Sequence, residues 1–244
     1  MKTYQQLNID GIIFDYGGTL DTNGRHWANV LWEGYQHALI DINESVFRDA
    51  YVYGERSLAK NPIIQPNDNF HTLLLKKLRE EFDYLIANNV LTEQDAHRRK
   101  DAEQEIADWC YLYVCHEMER NTRKLLKELS GKYPLVMVTN FYGNMNSVLE
   151  DFDIRKYFLS IVESAVVGVR KPNPSIYQMG IEQLNMAANR VAVVGDSYDK
   201  DIMTASSIGC QTIWLKGEEW TKSEHDETIP TIIITEIDSL TSIL

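Results

Sequence analysis

Short β-branched apolar runs alternate with amphipathic stretches along most of the chain, and this alternation restricts the fold more than any other feature. Runs bounded by polar or turn-forming residues occupy 9–14, 135–138, 191–194, 212–215 and 231–234. Helical patterns separate these runs at 120–130, 147–152, 174–186 and 200–208. Strands that alternate with helices in this way form a parallel sheet with helices on both faces. The sequence therefore predicts an α/β protein with a Rossmann-like parallel sheet.

Residues 22–119 have a different character. Gly and Pro become scarce there, and long amphipathic, charged stretches replace the strand-like runs. The spacing of Leu31 and Tyr35 places apolar side chains on one face of a helix. We therefore predict a helical insertion with most of its aromatic residues in the core. The runs 76–81 and 97–105 mix both charge signs, so we predict solvent-exposed helix faces there.

Charge and composition exclude several classes of protein. The formal net charge of −12 argues against sequence-independent nucleic-acid binding, which needs a basic surface. Small phosphorylated substrates remain compatible, because a few local cations can hold a phosphate. The three cysteines form no CxxC pair, which favours reduced thiols over a zinc site. The polar start and the lack of an apolar run of ~20 residues predict a cytoplasmic protein with neither signal peptide nor membrane span.

The first predicted strand ends in a carboxylate followed by glycines, in the order Asp15, Tyr16, Gly17, Gly18, Thr19. A carboxylate at such a position can attack phosphorus and form an acyl phosphate. The glycines let backbone N–H groups approach an anion, so Gly18 is a candidate phosphate-binding residue. A turn-forming Asp beside a helix-capping Thr is the alternative interpretation.

Two further polar elements follow later strands. Thr139 and Asn140 end the second strand with a hydroxyl and an amide, which suit phosphoryl oxygens but also suit a helix N-cap. Lys171 lies in a loop restrained by Pro172 and Pro174, where an ammonium group can neutralise the charge of a phosphoryl group. An exposed surface lysine is the alternative for this residue.

A fourth element, GDSYDKD at 195–201, clusters three carboxylates after another strand. Hard oxygen ligands of this kind suit Mg²⁺. Asp199 is better explained by the favourable interaction of an acidic side chain with a helix N-terminus. Because the carboxyl ends of parallel strands meet at one crevice, we expect all four elements to converge there.

In order and spacing, these elements resemble the haloacid dehalogenase (HAD) superfamily, whose signature is a strand ending in DxDxT, a strand ending in Thr or Ser, a Lys and GDxxxxD. The resemblance covers residues 10–215. It implies an HAD-like catalytic core at 1–21 and 120–244, with an inserted helical cap at 22–119 that closes over the site. It also implies Mg²⁺-dependent hydrolysis of small phosphorylated metabolites through an aspartyl phosphate. No oligomeric state is predicted.

The resemblance assigns a role to each matched residue. Asp15 would be the nucleophile and a metal ligand, and Asp201 would hold the metal directly or through water. The predicted metal ligands are Asp15, the carbonyl of Gly17, Asp196 and Asp201. The predicted catalytic residues are Asp15, Thr139 and Lys171. The residues predicted to bind the substrate are Gly18, Thr139, Asn140 and Lys171.

The sequence departs from the family signature at Gly17, where the phosphatases usually carry a second Asp. That Asp protonates the leaving group and later activates water, and such general acid–base catalysis contributes roughly 10²- to 10⁴-fold. We therefore expect slow hydrolysis of alkyl phosphates unless the leaving group has a low pKa, or a cap residue or a metal-bound water replaces the acid. Asp21 and His26 lie nearby in the sequence.

Two alternative functions remain open. One is a carbon–halide hydrolase, the haloacid dehalogenase in the strict sense, in which Asp15 would attack carbon. Asp196 opposes it, because those enzymes work without metal. The other is a phosphate- and metal-binding module with impaired catalysis. Gly17 favours this module, whereas the retained Asp15 opposes it.

Overall fold

A computed structural model describes residues 7–221 and 223–244, with residues 93–97 described as backbone only. The strands are β1 (Gly11–Phe14), β2 (Leu135–Thr139), β3 (Ser160–Glu163), β4 (Val191–Gly195), β5 (Gln211–Leu215) and β6 (Ile232–Ile234). They form one sheet of order β3-β2-β1-β4-β5-β6 in which every neighbouring pair is parallel. The predicted α/β fold with a Rossmann-like parallel sheet is confirmed.

Helices fill the connections between the strands. The α-helices are α1 (Trp27–His37), α2 (Glu44–Lys60), α3 (Phe70–Ala87), α4 (Glu93–Glu117), α5 (Arg123–Ser130), α6 (Met145–Asp151), α7 (Ser164–Val167), α8 (Ser175–Leu184), α9 (Thr204–Ser206) and α10 (Leu240–Ile243). Wide π-type turns occur at Met118–Thr122 and Tyr198–Met203. Across residues 7–221 and 223–244, no helix has both the length and the apolar character needed to cross a membrane.

The sheet interior explains the near-continuous apolar runs of the central strands. Every residue of β1, β2 and β4 is buried, as expected for parallel strands covered on both faces. Successive side chains alternate between the faces, so that Ile12 and Phe14 join one apolar cluster and Ile13 joins the other. The backbone N–H of Asp15 donates to the carbonyl of Val194 at 3.0 Å, which places Asp15 at the junction of β1 and β4.

The five predicted strands are confirmed to within two residues at each end, but β3 was not predicted. Its sequence, Ser-Ile-Val-Glu, holds only two apolar residues, because an edge strand needs less burial. The helix predicted at 200–208 is also corrected. The structure has the wide turn Tyr198–Met203 followed by the short helix α9.

The helices α1–α4 lie between β1 and β2, in the segment predicted to be a cap. The boundaries of the two predicted domains stay a prediction. The prediction of solvent-exposed faces in this segment was wrong for Lys77, Glu81 and Glu103, which are buried. These side chains lie where α3 packs against its neighbours α2 and α4, a contact that a local charge pattern does not reveal. The side chain of His97 lies outside the described residues.

Candidate active site

The eight residues predicted for the site all line one cavity of about 430 Å³, at the ends of β1, β2 and β4. They are Asp15, Gly17, Gly18, Thr139, Asn140, Lys171, Asp196 and Asp201. The polar elements therefore converge although they are separated by more than a hundred residues in the sequence. This convergence follows from the parallel sheet, whose strand ends share one edge.

Three carboxylates and one ammonium group form a cluster in the lining of the cavity. Asp15, Asp196 and Asp201 each contribute one oxygen atom to a group whose members lie within 4.8 Å of one another. The Nζ atom of Lys171 lies 2.6 Å from Oδ1 of Asp15 and 2.7 Å from Oδ1 of Asp201. The cluster is therefore rich in negative charge and could hold a metal ion.

The electrostatics of the cluster agree with that composition. Burial raises the pKa of Asp15, and the charge of Lys171 opposes the rise. Burial also raises the pKa of Asp196 well above its ordinary value, with a further contribution from the charges of Asp201 and Asp15. Burial alone would lower the pKa of Lys171, but the two carboxylates outweigh it and raise that pKa. A divalent cation would offset the excess negative charge, and oxygen ligands are those that Mg²⁺ prefers.

Asp201 is fixed in place by three donors. Its Oδ1 atom accepts from Lys171 Nζ and from the hydroxyl of Tyr177, each at 2.7 Å, and its Oδ2 atom accepts from the backbone N–H of Ser197 at 3.1 Å. Gly195 is required beside it, because a Cβ atom at that position would lie 2.5 Å from the Asp201 side chain. Close packing against Asp201 thus explains why the fourth motif begins with glycine at position 195.

Asp196 is held by the first motif. The hydroxyl of Thr19 donates to Asp196 Oδ1 at 3.1 Å and accepts from the Asp196 backbone N–H at 3.0 Å. Gly18 adopts φ +91°, and a Cβ atom there would lie 2.3 Å from Asp196 Oδ2. Gly18 is therefore needed both for its backbone conformation and for its close approach to Asp196. Thr19, which was interpreted as a possible helix cap, links the two motifs.

Asn140 positions the loop that carries Lys171. Its Oδ1 atom accepts from the backbone N–H of Lys171 at 2.8 Å, and its Nδ2 atom donates to the Lys171 carbonyl at 3.0 Å. Direct contact between Asn140 and substrate stays a prediction. Thr139 is buried at the end of β2 and lines the cavity. Glu163, which sequence reasoning missed, holds the next loop by accepting from the backbone N–H of Gly143 at 2.5 Å.

The space beside Gly17 is open. A Cβ atom at this position would meet only Trp27 within 4 Å, at an ordinary contact distance of 3.9 Å from Cδ1. The nearby Asp21 is fully buried, and its carboxylate accepts from the backbone N–H of Gly18 and from Trp27 Nε1, both at 2.7 Å. Burial raises the pKa of Asp21 to about 7. Both of its oxygen atoms are thus engaged in holding the first motif and α1.

His26 lines the cavity but also caps α1. Its Nδ1 atom accepts from the backbone N–H of Ala28 at 3.1 Å, so that the ring proton lies on Nε2. Burial lowers the pKa of His26 to about 4, with a smaller contribution from the nearby charge of Lys200. The imidazole is therefore neutral at pH 7.

The opposite wall of the cavity was not predicted. It is formed by residues of α2 and α3, of the loop after β2 and of the loop after β5, among them Tyr51, Glu55, Lys77, Tyr142 and Trp220. Tyr51 is one of the aromatic residues of the helical insertion, most of which are predicted to belong to the core. No sequence signal marks the others, because their proximity depends on how separate helices and loops pack.

Comparison with known proteins agrees with this geometry. A family model for haloacid dehalogenase-like hydrolases matches residues 9–209. The chain belongs to this family. The predicted resemblance is confirmed, and the hydrolase carries the family's motifs at the strand ends described above.

Curated relatives of this hydrolase match about half of its length. Pyrimidine 5'-nucleotidase YjjG of Escherichia coli (strain K12) is 31% identical over 122 residues, covering 49% of this chain and 53% of the relative. 5-Amino-6-(5-phospho-D-ribitylamino)uracil phosphatase YigB of the same organism is 29% identical over 130 residues, covering 52% of this chain and 53% of the relative. The chain thus spans about half the length of these relatives.

A solved structure supports the fold over the full length. The HAD-hydrolase YfnB from Bacillus subtilis, bound to magnesium, aligns with a TM-score of 0.53 and 19% identity. The alignment covers 97% of this chain and 99% of that chain. At this identity the likeness shows the shared fold alone.

Proposed function

We propose that this hydrolase cleaves phosphate monoesters of small metabolites through a phosphorylated Asp15, with Mg²⁺ as cofactor. The observation that carries the proposal is the contact of Lys171 Nζ with Asp15 at 2.6 Å, inside a group of three carboxylates. A buried nucleophile beside a cation and a metal-binding carboxylate pair suits phosphoryl transfer. The phosphatase and nucleotidase names of the two curated relatives support the same reaction class.

Asp15, Asp196, Asp201 and the carbonyl of Gly17 would hold Mg²⁺. When bound, the ion would neutralise negative charge on the phosphoryl group. The donor set fits, since it consists of hard oxygen atoms with excess negative charge. Lys171 balances part of the remaining charge and fixes the orientation of the Asp15 carboxylate.

In the proposed reaction, Asp15 Oδ attacks phosphorus as the bond from phosphorus to the ester oxygen breaks. The leaving oxygen takes a proton from solvent water, and a second water molecule then hydrolyses the aspartyl phosphate to release phosphate and regenerate Asp15. The Thr139 hydroxyl, which lines the cavity, would donate to a phosphoryl oxygen. The backbone N–H of Gly18 donates to Asp21 Oδ1 at 2.7 Å, so any role of Gly18 in substrate binding would need another group. Because Gly17 supplies no acid, esters with acidic leaving groups should react fastest.

We also propose that residues 22–119 act as a cap on the catalytic core at 1–21 and 120–244. Helices α2 and α3 contribute Glu55 and Lys77 to the cavity, so this segment forms the wall that faces the leaving group. Burial of the reacting groups beneath such a wall excludes water and strengthens the electrostatic interactions within the site.

The proposal is tested by measuring turnover of p-nitrophenyl phosphate and of sugar, nucleotide and acyl phosphates, with and without Mg²⁺. Asp15→Asn should lower kcat by at least about 1,000-fold, because the amide cannot act as the nucleophile. Asp10→Asn is the matched control, since Asp10 precedes β1 at its other end and pairs with Arg190 on the surface. Normal Mg²⁺ binding without turnover of any ester would instead support a binding module.

A further inference from the structure

The wall opposite the sheet edge contains a polar group that the proposed reaction does not use. Glu55 of α2 forms an ion pair with Lys77 of α3. The hydroxyl of Tyr142 donates to the same carboxylate, at 3.0 Å from Oε1 and 2.9 Å from Oε2. All three residues line the cavity. The carboxylate is therefore held in one orientation by two helices and by the loop that follows Thr139.

Glu55 keeps free acceptor capacity toward the cavity. Its side chain is 36% exposed, whereas that of Lys77 is 7% exposed. A carboxylate offers about four lone-pair sites, and one ammonium and one hydroxyl donor leave some of them unused. Burial raises the pKa of Glu55, but the charge of Lys77 and the hydrogen bonds from Lys77 and Tyr142 outweigh it and lower the pKa. Glu55 is thus an ionised acceptor rather than an acid.

The charge of this wall does not favour a second anion. The positive charge of Lys77 is neutralised by Glu55, and its Nζ atom also lies 4.2 Å from the centre of the Tyr51 ring. Of the described residues on this side of the cavity, the remaining charged ones include Lys200, Glu218 and Glu219, of which Glu218 pairs with Arg25 and Glu219 contacts His225. An anionic group beside Glu55 would therefore meet a carboxylate whose ammonium partner is already engaged, and it would be repelled there.

Aromatic rings lie next to the carboxylate. The rings of Tyr51 and Trp220 stack with centroids 6.3 Å apart and an interplanar angle of 25°. The His26 ring lies 6.3 Å from each of them. Such a surface can cover the C–H face of a ring while a neighbouring acceptor binds hydroxyl groups at its edge. This combination suits a polyhydroxylated ring.

We propose that Glu55 is a specificity-determining residue that accepts hydrogen bonds from hydroxyl groups of the leaving group. The substrates would then be phosphate esters of uncharged sugars or polyols, and esters with a second anionic group would be disfavoured. This inference rests on the proposed phosphatase activity and names its substrate class. Tyr142 and Lys77 act as positioning residues for the Glu55 carboxylate.

The test compares kcat/KM for ribose 5-phosphate, phosphoglycolate and p-nitrophenyl phosphate at saturating Mg²⁺. The wild-type protein should prefer ribose 5-phosphate to phosphoglycolate. Glu55→Gln should lower this preference about tenfold or more, because it removes a charged acceptor and the repulsion of the second anion. Asp49→Asn is the matched control, since Asp49 lies on the exposed side of the same helix, and it should leave the preference unchanged.

Tyr142→Phe provides an independent test if Glu55→Gln fails to fold with Lys77 unpaired. It retains the ion pair and removes only the hydroxyl that orients Glu55, so the preference should fall about threefold. The inference would be overturned if Glu55→Gln and Tyr142→Phe showed the same preference as Asp49→Asn. A wild-type preference for phosphoglycolate over ribose 5-phosphate would also overturn it. Absence of any Mg²⁺-dependent turnover of p-nitrophenyl phosphate by the wild-type protein would instead overturn the proposed function.

Discussion

Two groups of buried and partly buried charges lie in this molecule, and their charges balance in different ways. At the sheet edge, the carboxylates of Asp15, Asp196 and Asp201 form one cluster, and the ammonium group of Lys171 contacts Asp15 and Asp201. The negative excess arises because parallel strands end at one edge of the sheet, and it suits a cation, which in turn could bind a phosphoryl group. The sheet edge is therefore organised for binding charge.

The helical group is balanced within itself. Glu55 and Lys77 pair one to one, and Glu81 lies fully buried beside them with the Tyr35 hydroxyl donating to its Oε2 atom at 2.9 Å. Burial raises the pKa of Glu81 to about 7, although the charge of Lys77 and the hydrogen bond from Tyr35 oppose the rise. Under the proposed function, the sheet edge would supply the chemistry, whereas the helices would supply a wall with an internal ion pair that recognises shape and hydrogen bonds.

The largest gain in rate is expected from adding a carboxylate to the sheet edge. Gly17→Asp should raise kcat/KM for alkyl phosphates such as ribose 5-phosphate about 100-fold, because it supplies a general acid where the backbone leaves room. The rate with p-nitrophenyl phosphate should change much less, since that leaving group needs no proton. Steady-state kinetics on both esters measure the difference.

Gly131→Asp is the control for this variant, because it adds the same charge after α5, away from the cavity. Suppose that the wild-type protein hydrolyses alkyl phosphates fast and that Gly17→Asp is no faster. Another group would then already act as the acid.

A smaller effect is expected when the sheet edge is distorted without changing its charge. Gly18→Ala should weaken Mg²⁺ activation about tenfold or more, because the added methyl group displaces the Asp196 carboxylate. Titration of activity with Mg²⁺ measures this shift.

Gly209→Ala is a closely matched control: Gly209 has φ +88° but nothing within 4 Å of an added Cβ. Both variants should lose about 1 kcal/mol of stability from backbone strain. An equal Mg²⁺ response in the two would refute the predicted role of Gly18.

The last expected effect concerns the helical group, and it appears in stability and leaves the rate unchanged. The folded protein holds a proton on Glu81 that the unfolded chain releases, so this contribution to stability is present below pH 4.5 and is lost as the pH rises through about 7. Glu81→Gln removes that loss. As the pH rises from 4.5 to 8, the free energy of unfolding of the variant should increase relative to that of wild type by up to about 3 kcal/mol. One pKa unit corresponds to about 1.4 kcal/mol.

Urea unfolding across this pH range measures the difference. The groups that face Glu81 are Lys77, Glu55 and Tyr35, and none of them is altered by the substitution. Glu128→Gln, on the exposed surface of α5, should show no comparable pH dependence. A parallel pH profile for Glu81→Gln and wild type would show that Glu81 is ionised in the folded protein.

The difference between the sheet edge and the helical wall explains which parts of the structure were predictable from the sequence. Asp15, Thr139 and Asp196 were assigned to one site because each follows an apolar strand, and parallel strands end at one edge by geometry. For a residue that follows a parallel strand, the sequence therefore predicts the edge of the sheet at which the residue lies. The edge strand β3 escaped prediction because its four residues carry too short an apolar pattern.

The helical wall could not be predicted in this way. Glu55, Lys77 and Tyr142 are distant in sequence, and they meet only because α2, α3 and the loop after β2 pack together. A helical pattern indicates which residues share a face but not which neighbour covers that face. For the same reason, the charged run that contains Lys77 and Glu81 was wrongly assigned to the surface.

The open space beside Gly17 also has a consequence for altering this protein by substitution. A Cβ atom at this position would make only ordinary contacts with Trp27, so the backbone of the first motif can accept a side chain there without moving. The acid–base chemistry proposed for the site could thus be changed at one position while the arrangement of Asp15, Asp196 and Asp201 is kept.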